Sequence, residues 1–533
     1  MRSIYLTLLA LVVGCGGGGK SGPDVTSQLD GTAEVVADDV TAPEISLDAR
    51  LEDFSLPDQM VDVPDLLTDL EVAPELVDVV PDLPPEVIPQ TTIDSFLELV
   101  DGGDGPGFDA FLAQYDGPYC EGPVCLFVTC VNDASAIALR GEFNGWEETP
   151  MTALEFVPGC FYHLFDELLF SYVVEYKLYV AEEWLRDPLN RYFRFAEGAL
   201  NSALYAPGYG RLVLLEGVYS PQLENTRNLY VYLPAAAVEN PGLSFPVLYM
   251  QDGFNIFDNP NAPYGNWFVG VAADALMGQG EVAPVIIVGI DTDNRFDEYS
   301  YTDLLLDMGD EFVVVDPKLP AYGDFLVETV KPLVDEQFPT RMERESTAIA
   351  GSSLGGISAL YLAWYFAETF GKVASFSGSY WIGETPGTAN NPAMRDLLLA
   401  YEPTWAQLAL TVYLDSGAAP EGDPTPNPYT VDARCYTEWT RNALIELGWS
   451  NRIEWDDDGL VETPPNNFPE DAVPSTVPAL FWSPNPPATY TNWDDFLLPG
   501  ANLLHLVGAG QFHTEGAWEA RFPAALRFLF PPQ

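Results

Sequence analysis

Histidine is nearly missing from this chain: three residues in 533, namely His163, His505 and His513. They do not cluster at ligand spacing, and the six cysteines form no paired zinc pattern, so the sequence implies no metal and no cofactor. Cations are scarce as well, 22 Lys and Arg against 80 Asp and Glu, for a formal net charge of −58. Such a chain repels phosphate backbones and other polyanions, which excludes nucleic acid as a partner. Long apolar runs are missing beyond the first residues, so no later segment reads as a membrane span.

The front of the chain has its own logic. Met1-Arg2 and the apolar run Ser3–Gly14 are too short for a stable span and end at Cys15. Val12-Val13-Gly14-Cys15 resembles a bacterial lipobox. That resemblance implies a signal peptide over 1–15, a lipidated Cys15 and an exported protein anchored in the cell envelope, at the outer membrane or cell surface. The alternative is an ordinary secretory signal cut nearby. Residues 16–95 read as a disordered linker. Between 21 and 90 there are 18 acids, one cation (Arg50), one aromatic (Phe54) and recurrent proline. Such a composition cannot bury enough apolar area to offset the entropy of ordering.

Residues 96–207 read as a small β-sandwich. Short apolar runs at 126–130, 136–139, 161–165 and 173–179 alternate with turn residues. In an exported chain Cys120, Cys125, Cys130 and Cys160 predict up to two disulfides there, and Cys435 is expected to be a buried free thiol.

Chemistry enters at Gly351-Ser352-Ser353-Leu354-Gly355. The pattern G-x-S-x-G is weak alone in a chain with 44 glycines, but its context is not. Ser346–Ala350 reads as a buried strand and Gly356–Ala363 as a helix, the strand–turn–helix arrangement of a nucleophile elbow. A serine hydroxyl needs a base. His163 falls in the β-module, and His505 reads as a packed strand histidine in Asn502–Val507. His513 follows a Gly-rich loop after that strand, in the Ser…acid…His order. The orienting acid is sought after the strand Leu408–Leu414, with Glu421 preferred and Asp423 and Asp415 as alternatives.

From about Leu212 to Pro531 the chain resembles the Putative esterase family of α/β-hydrolases, which includes enterochelin, feruloyl and acetyl-xylan esterases and mycolyltransferases. The matching segments are Phe245–Asp258, Arg295 with Glu298-Tyr299, Tyr322–Phe325, the elbow, Ser375–Trp381 and His513–Trp518. The resemblance implies an α/β-hydrolase domain over 208–533. It also implies an oxyanion hole from the N–H of Leu354 and a second donor at Gly253 or Phe254. Trp381 and Arg295 are candidate substrate-binding residues, although Arg295 with Glu298 reads equally as a surface ion pair. The Pro- and Asn-rich stretch 456–499 departs from the family core.

Arg140–Trp146, Tyr176–Val180 and Trp184–Pro188 are similar to glycogen-binding E-set modules. That likeness implies a sugar platform of Trp146, Trp184 and Lys177, or else a structural, site-lining role. The expectation is a serine esterase of the envelope acting on a siderophore-type or glycan-linked (feruloyl or acetyl) ester. The alternatives are acyl transfer at the same site, or a non-catalytic glycan-binding protein on a hydrolase scaffold.

Overall fold

The computed structural model describes residues 92–307, 312–382, 393–418, 432, 434–449, 480–482 and 502–532. The signal peptide and Cys15, most of the linker, Glu421, Asp423 and most of the 456–499 stretch lie outside these residues.

The C-terminal part is built on a nine-stranded sheet. Its strands are β1 (Arg211–Ser220), β2 (Asn225–Leu233), β3 (Val247–Gln251), β4 (Ile286–Ile290), β5 (Thr347–Ser352), β6 (Lys372–Phe376), β7 (Thr411–Ala418), β8 (Leu480–Trp482) and β9 (Leu503–Ala509). The spatial order is β1-β2-β4-β3-β5-β6-β7-β9-β8. β1 and β2 form an antiparallel hairpin and β2 meets β4 antiparallel; every other pairing is parallel. Central parallel strands are covered on both faces, which is why β3, β4 and β5 are buried end to end. Alternate side chains feed two cores: Val247, Tyr249, Ile349 and Leu414 enter one, Leu248, Met250, Ala350 and Tyr413 the other. Helix α2 (Leu354–Tyr365) packs on the first face. Helices α1 (Val269–Gly278) and α4 (Glu515–Leu529) pack on the second. This strand order, with helices on both faces, is the α/β-hydrolase fold.

The preceding module is a sandwich of a four-stranded and a six-stranded antiparallel sheet. Cys125, Phe127, Leu139, Phe161, Tyr176 and Leu178 fill the space between them. Disulfides join Cys120 to Cys125 and Cys130 to Cys160. Two helices that the strand-only reading did not foresee, Ile93–Gly102 and Gly105–Leu112, cover the outer face of the smaller sheet. Strand 124–130 has two apolar faces: Cys125 and Phe127 point into the sandwich, Leu126 and Val128 under the helices. The first helix is capped by Thr92 and begins at Ile93, inside the range assigned to the linker. Cys435 is buried, as expected.

Candidate active site

The parallel strands β3, β5, β6, β7 and β9 all end at one edge of the sheet, and the chain leaves that edge under strain. Asp252 after β3, Ser353 after β5, Ser377 after β6 and Asp432 on the segment after β7 are non-glycine residues with positive φ, at 58°, 57°, 45° and 54°. Such conformations cost about 1–3 kcal/mol each and gather where a site fixes its geometry. Ser353, with ψ −121°, is the turn of the elbow between β5 and α2. A Cβ on Gly351 would come within 2.6 Å of both Gln251 Cγ and the Gly355 carbonyl oxygen, so only glycine admits this turn. Ser353 is buried, and its Oγ lies 3.4 Å from Ser379 Oγ.

His513 follows β9, and its Nδ1 lies 2.6 Å from Oδ1 of Asp432. Its ring stands edge-on to Trp518 at 5.0 Å between centroids. Asp432 is wholly buried, whereas the His513 side chain is 31% exposed and within reach of a substrate. Burial pushes the Asp432 carboxyl up, but His513, Arg521 and the Ser377 hydroxyl outweigh it and hold the carboxyl below its ordinary value. The other oxygen, Oδ2, accepts from the Ser377 hydroxyl and the Gly417 amide. An acceptor-only Asp432 makes Nδ1 of His513 the protonated nitrogen and leaves Nε2 to accept a proton. No hydrogen bond joins the Ser353 hydroxyl to His513 in this structure; such bonds often tighten only in the complex with substrate.

The carboxylate that the structure places against His513 is Asp432, a residue the sequence reading did not name. Glu421 and Asp423 lie outside the described residues, and the acceptor position beside Nδ1 is taken. Asp415, the remaining alternative, sits inside β7 and turns away from the histidine. Its carboxylate takes two bonds from Arg521, at 2.9 and 3.1 Å, and others from the Ser377 amide and the Tyr413 hydroxyl. Asp432 lies well beyond the end of β7, and its signal in the sequence is an acid just ahead of helix α3 (Arg434–Glu446).

Leu354 opens α2, where first-turn N–H groups have no intrahelical acceptor and point toward the elbow. Gly253 opens a short turn after β3, against β4: a Cβ there would lie 2.6 Å from the Gly289 carbonyl carbon. Phe254 is 37% exposed, and its amide helps hold the nearby Asp291 carboxylate. Arg295 does not pair with Glu298. It grips Asp252 through two bonds, at 2.8 and 3.1 Å, and reaches the Ser352 carbonyl at 3.1 Å. Glu298 is instead buried against Arg227 at 2.7 Å. Arg295 thus ties the turn after β3 to the elbow. Glu515, raised by burial, is acted on by both His513 and Arg295, which places it at the same mouth. Trp381 is half-buried against the main core, two residues beyond Ser379.

His505 lies in β9 with Nδ1 2.9 Å from Arg441, far from any catalytic arrangement, and His163 lies in a module strand. On the module, Trp146 and Trp184 come together with centroids 6.0 Å apart. Lys177 faces Arg140 across the sheet, and Arg140 lies over Tyr179 at 4.0 Å and Trp184 at 4.9 Å. Arg140 and Tyr179 were not foreseen. Among the described residues no group of His, Cys, Asp and Glu could hold a metal ion.

The module also reaches the sheet edge that carries Ser353 and His513. Arg194 pairs with Asp258 at 2.6 Å, Asn261 bonds the Ala196 carbonyl and the Gly198 amide, and Phe195 lies 6.3 Å from Phe254, ring to ring.

Comparison with known proteins converges on the same region. Residues 220–443 match the family described as Putative esterase. Iron(III) salmochelin esterase of Escherichia coli O6:H1 is 28% identical over 248 residues, 42% of this chain and 53% of that protein. The uncharacterized protein YbbA of Bacillus subtilis is 27% identical over 167 residues, 31% of this chain and 62% of that protein. The chain thus spans little more than half the length of these curated relatives. Among solved structures, ferric enterobactin esterase of Salmonella typhimurium is 14% identical, with 79% of this chain and 98% of that one covered at a TM-score of 0.38. The segment matched to the Putative esterase family holds the serine elbow, and over that segment the chain is similar to that family.

Proposed function

We propose that the protein is a serine hydrolase of carboxylic esters. The observation that carries this is the buried Asp432 holding Nδ1 of His513 at the strand edge where Ser353 turns on its strained elbow. Nε2 of His513 takes the Ser353 proton as Oγ attacks the ester carbonyl, and Asp432 stabilises the imidazolium that forms. The developing oxyanion is received by the Leu354 N–H and an N–H of the Gly253–Phe254 turn, which Arg295 holds in register with the elbow. Collapse expels the alcohol with the proton from His513. Water then attacks the acyl-enzyme by the same route in reverse.

The substrate is a siderophore-type or glycan-linked ester. The salmochelin and enterobactin esterases among the relatives favour the first. The paired Trp146 and Trp184 beside Lys177 and Arg140 favour a sugar-bearing ester, since indole faces stack on the C–H faces of sugars. Export and a lipid anchor at Cys15 in the envelope belong to the same proposal. Hydrolysis of short-chain p-nitrophenyl esters tests the chemistry: Ser353→Ala lowers kcat at least about 10³-fold, and equal rates in the two proteins would place the reaction elsewhere. Retention on insoluble xylan, starch or cellulose, abolished by Trp184→Ala, tests the sugar-directed reading. No retention on any of the three leaves the siderophore-type ester. Product analysis with an added alcohol acceptor separates hydrolysis from acyl transfer.

A further inference from the structure

We infer that Ser377 is a positioning residue that fixes the direction and charge of Asp432, and that Arg521 and Trp518 orient the Ser377 hydroxyl for this task. The inference rests on the proposed assignment of Ser353, His513 and Asp432.

The hydrogen-bond count is closed. A hydroxyl carries one proton and two lone pairs. The Ser377 oxygen accepts from Trp518 Nε1 at 2.9 Å and from an Arg521 terminal nitrogen at 2.8 Å. Both lone pairs are used, so its own proton goes to the remaining neighbour, Oδ2 of Asp432. The orienting groups are themselves fixed. Arg521, wholly buried, is pinned by both oxygens of Asp415 and by Gln511 Oε1 at 2.8 Å. Trp518 packs against Trp267, 5.6 Å between centroids, and carries the His513 ring on its edge. The Ser377 backbone is fixed by Asp415, through its carbonyl at 3.1 Å and its carboxylate at 2.9 Å. A rigid donor therefore faces Asp432 on the side opposite His513, and a carboxylate so placed cannot rotate away from the imidazole. Three residues, Trp518 and Arg521 of α4 and Asp432 ahead of α3, converge on a hydroxyl that touches neither nucleophile nor base.

Ser377→Gly is a clean removal, because φ 45° is a conformation glycine adopts without cost. The charged groups around the pair are Arg521 and Asp415 on the Asp432 side and Glu515 on the His513 side. With these unchanged, the loss of one donor leaves Asp432 a stronger acceptor toward His513. The base then holds its proton to higher pH. The expected result with p-nitrophenyl esters is a fall in kcat of about 10- to 100-fold with KM nearly unchanged. The acid limb of the kcat/KM profile moves to higher pH, and the strongly deshielded proton NMR line of an imidazole–carboxylate bond shifts. Trp518→Phe keeps the ring beside His513 but removes one orienting donor, and gives the same changes at smaller size. Activity within twofold of wild type in both variants overturns the inference. So does a loss of kcat with the acid limb and the NMR line unmoved. If Ser353→Ala remains active, the underlying assignment fails instead, whatever Ser377→Gly does.

Discussion

Two aspartates 17 positions apart in sequence, Asp415 and Asp432, meet the same arginine and perform different work. Asp432 faces His513; Asp415 faces Arg521 and closes the interior. Asp432→Asn keeps the shape but offers the imidazole an amide, which favours the wrong tautomer. kcat then falls about 10²- to 10⁴-fold while the melting temperature changes little. Asp415→Asn leaves Arg521 as a buried charge with one fewer partner, so it lowers the melting temperature and activity falls with the folded fraction. Thermal melts and kcat on both variants check the division, and a stable, inactive Asp415→Asn protein would reverse it. Asp291 gives a second residue-scale prediction. Burial raises its carboxyl to about 6, against the pull of the Tyr230 hydroxyl and the Phe254 amide. An unfolded aspartate ionises near 4, so the folded chain holds this proton more tightly. Stability from this group is full at low pH and declines as pH rises from about 4 through 6, by roughly 3 kcal/mol. Asp291→Asn keeps an acceptor for Tyr230 and raises the melting temperature by a few degrees at pH 8 but not at pH 3.5. An equal change at both pH values would mean that ionisation is not the cause.

Local elements were legible where a single stretch of chain carries the whole signal. The elbow was one: a β-rich run, a Gly-flanked serine and a helix are contiguous, and tight packing at Gly351 leaves the sequence no other reading. His513 was another, as the one histidine on a loop after an apolar strand. What sequence reading missed depends on partners brought from far away. Arg295 meets Asp252 from 43 positions off, so its neighbour Glu298 looked like the natural partner. Asp432 was hidden by the length of chain between it and β7. In the module, Arg140 and Tyr179 join the tryptophans only through sheet register. The turn after β3 shows how closely an element can be constrained. Gly253 Cα lies 3.0 Å from where a Cβ on Gly289 would sit, and a methyl on Gly253 itself would press into the Gly289–Ile290 peptide. Gly253→Ala must push this turn off β4 and carry its amides away from the elbow. A displacement near 1 Å costs about 10²-fold in rate, so kcat should drop by that order with the sheet intact by circular dichroism. An unchanged kcat would remove the turn from the oxyanion hole.

At the scale of the whole molecule, the β-module and the nine-stranded sheet meet near the edge that carries Ser353 and His513, and both belong to a strongly acidic chain. The module reaches the oxyanion turn through Phe195 and clasps the following loop through Arg194 and Asn261, so it shapes what can approach Ser353. Arg295 and His513 are the basic groups shown at this mouth, and Asp252, Asp432 and Glu515 surround them. A net charge of −58 spread over 533 residues therefore acts on an approaching ester before any contact forms. An anionic ester is repelled at low ionic strength. Raising salt from about 10 to 150 mM shortens the screening length from about 30 to 8 Å, which weakens that repulsion over the distances of approach. The expected outcome is a several-fold rise in kcat/KM for a carboxylate-bearing ester across this range, carried by encounter, alongside a flat response for a neutral ester of similar size. A matched pair of aryl esters measured in the same buffers checks it. A fall in kcat/KM for the anionic member would mean that Arg295 and its surroundings present a local positive field strong enough to override the charge of the whole chain.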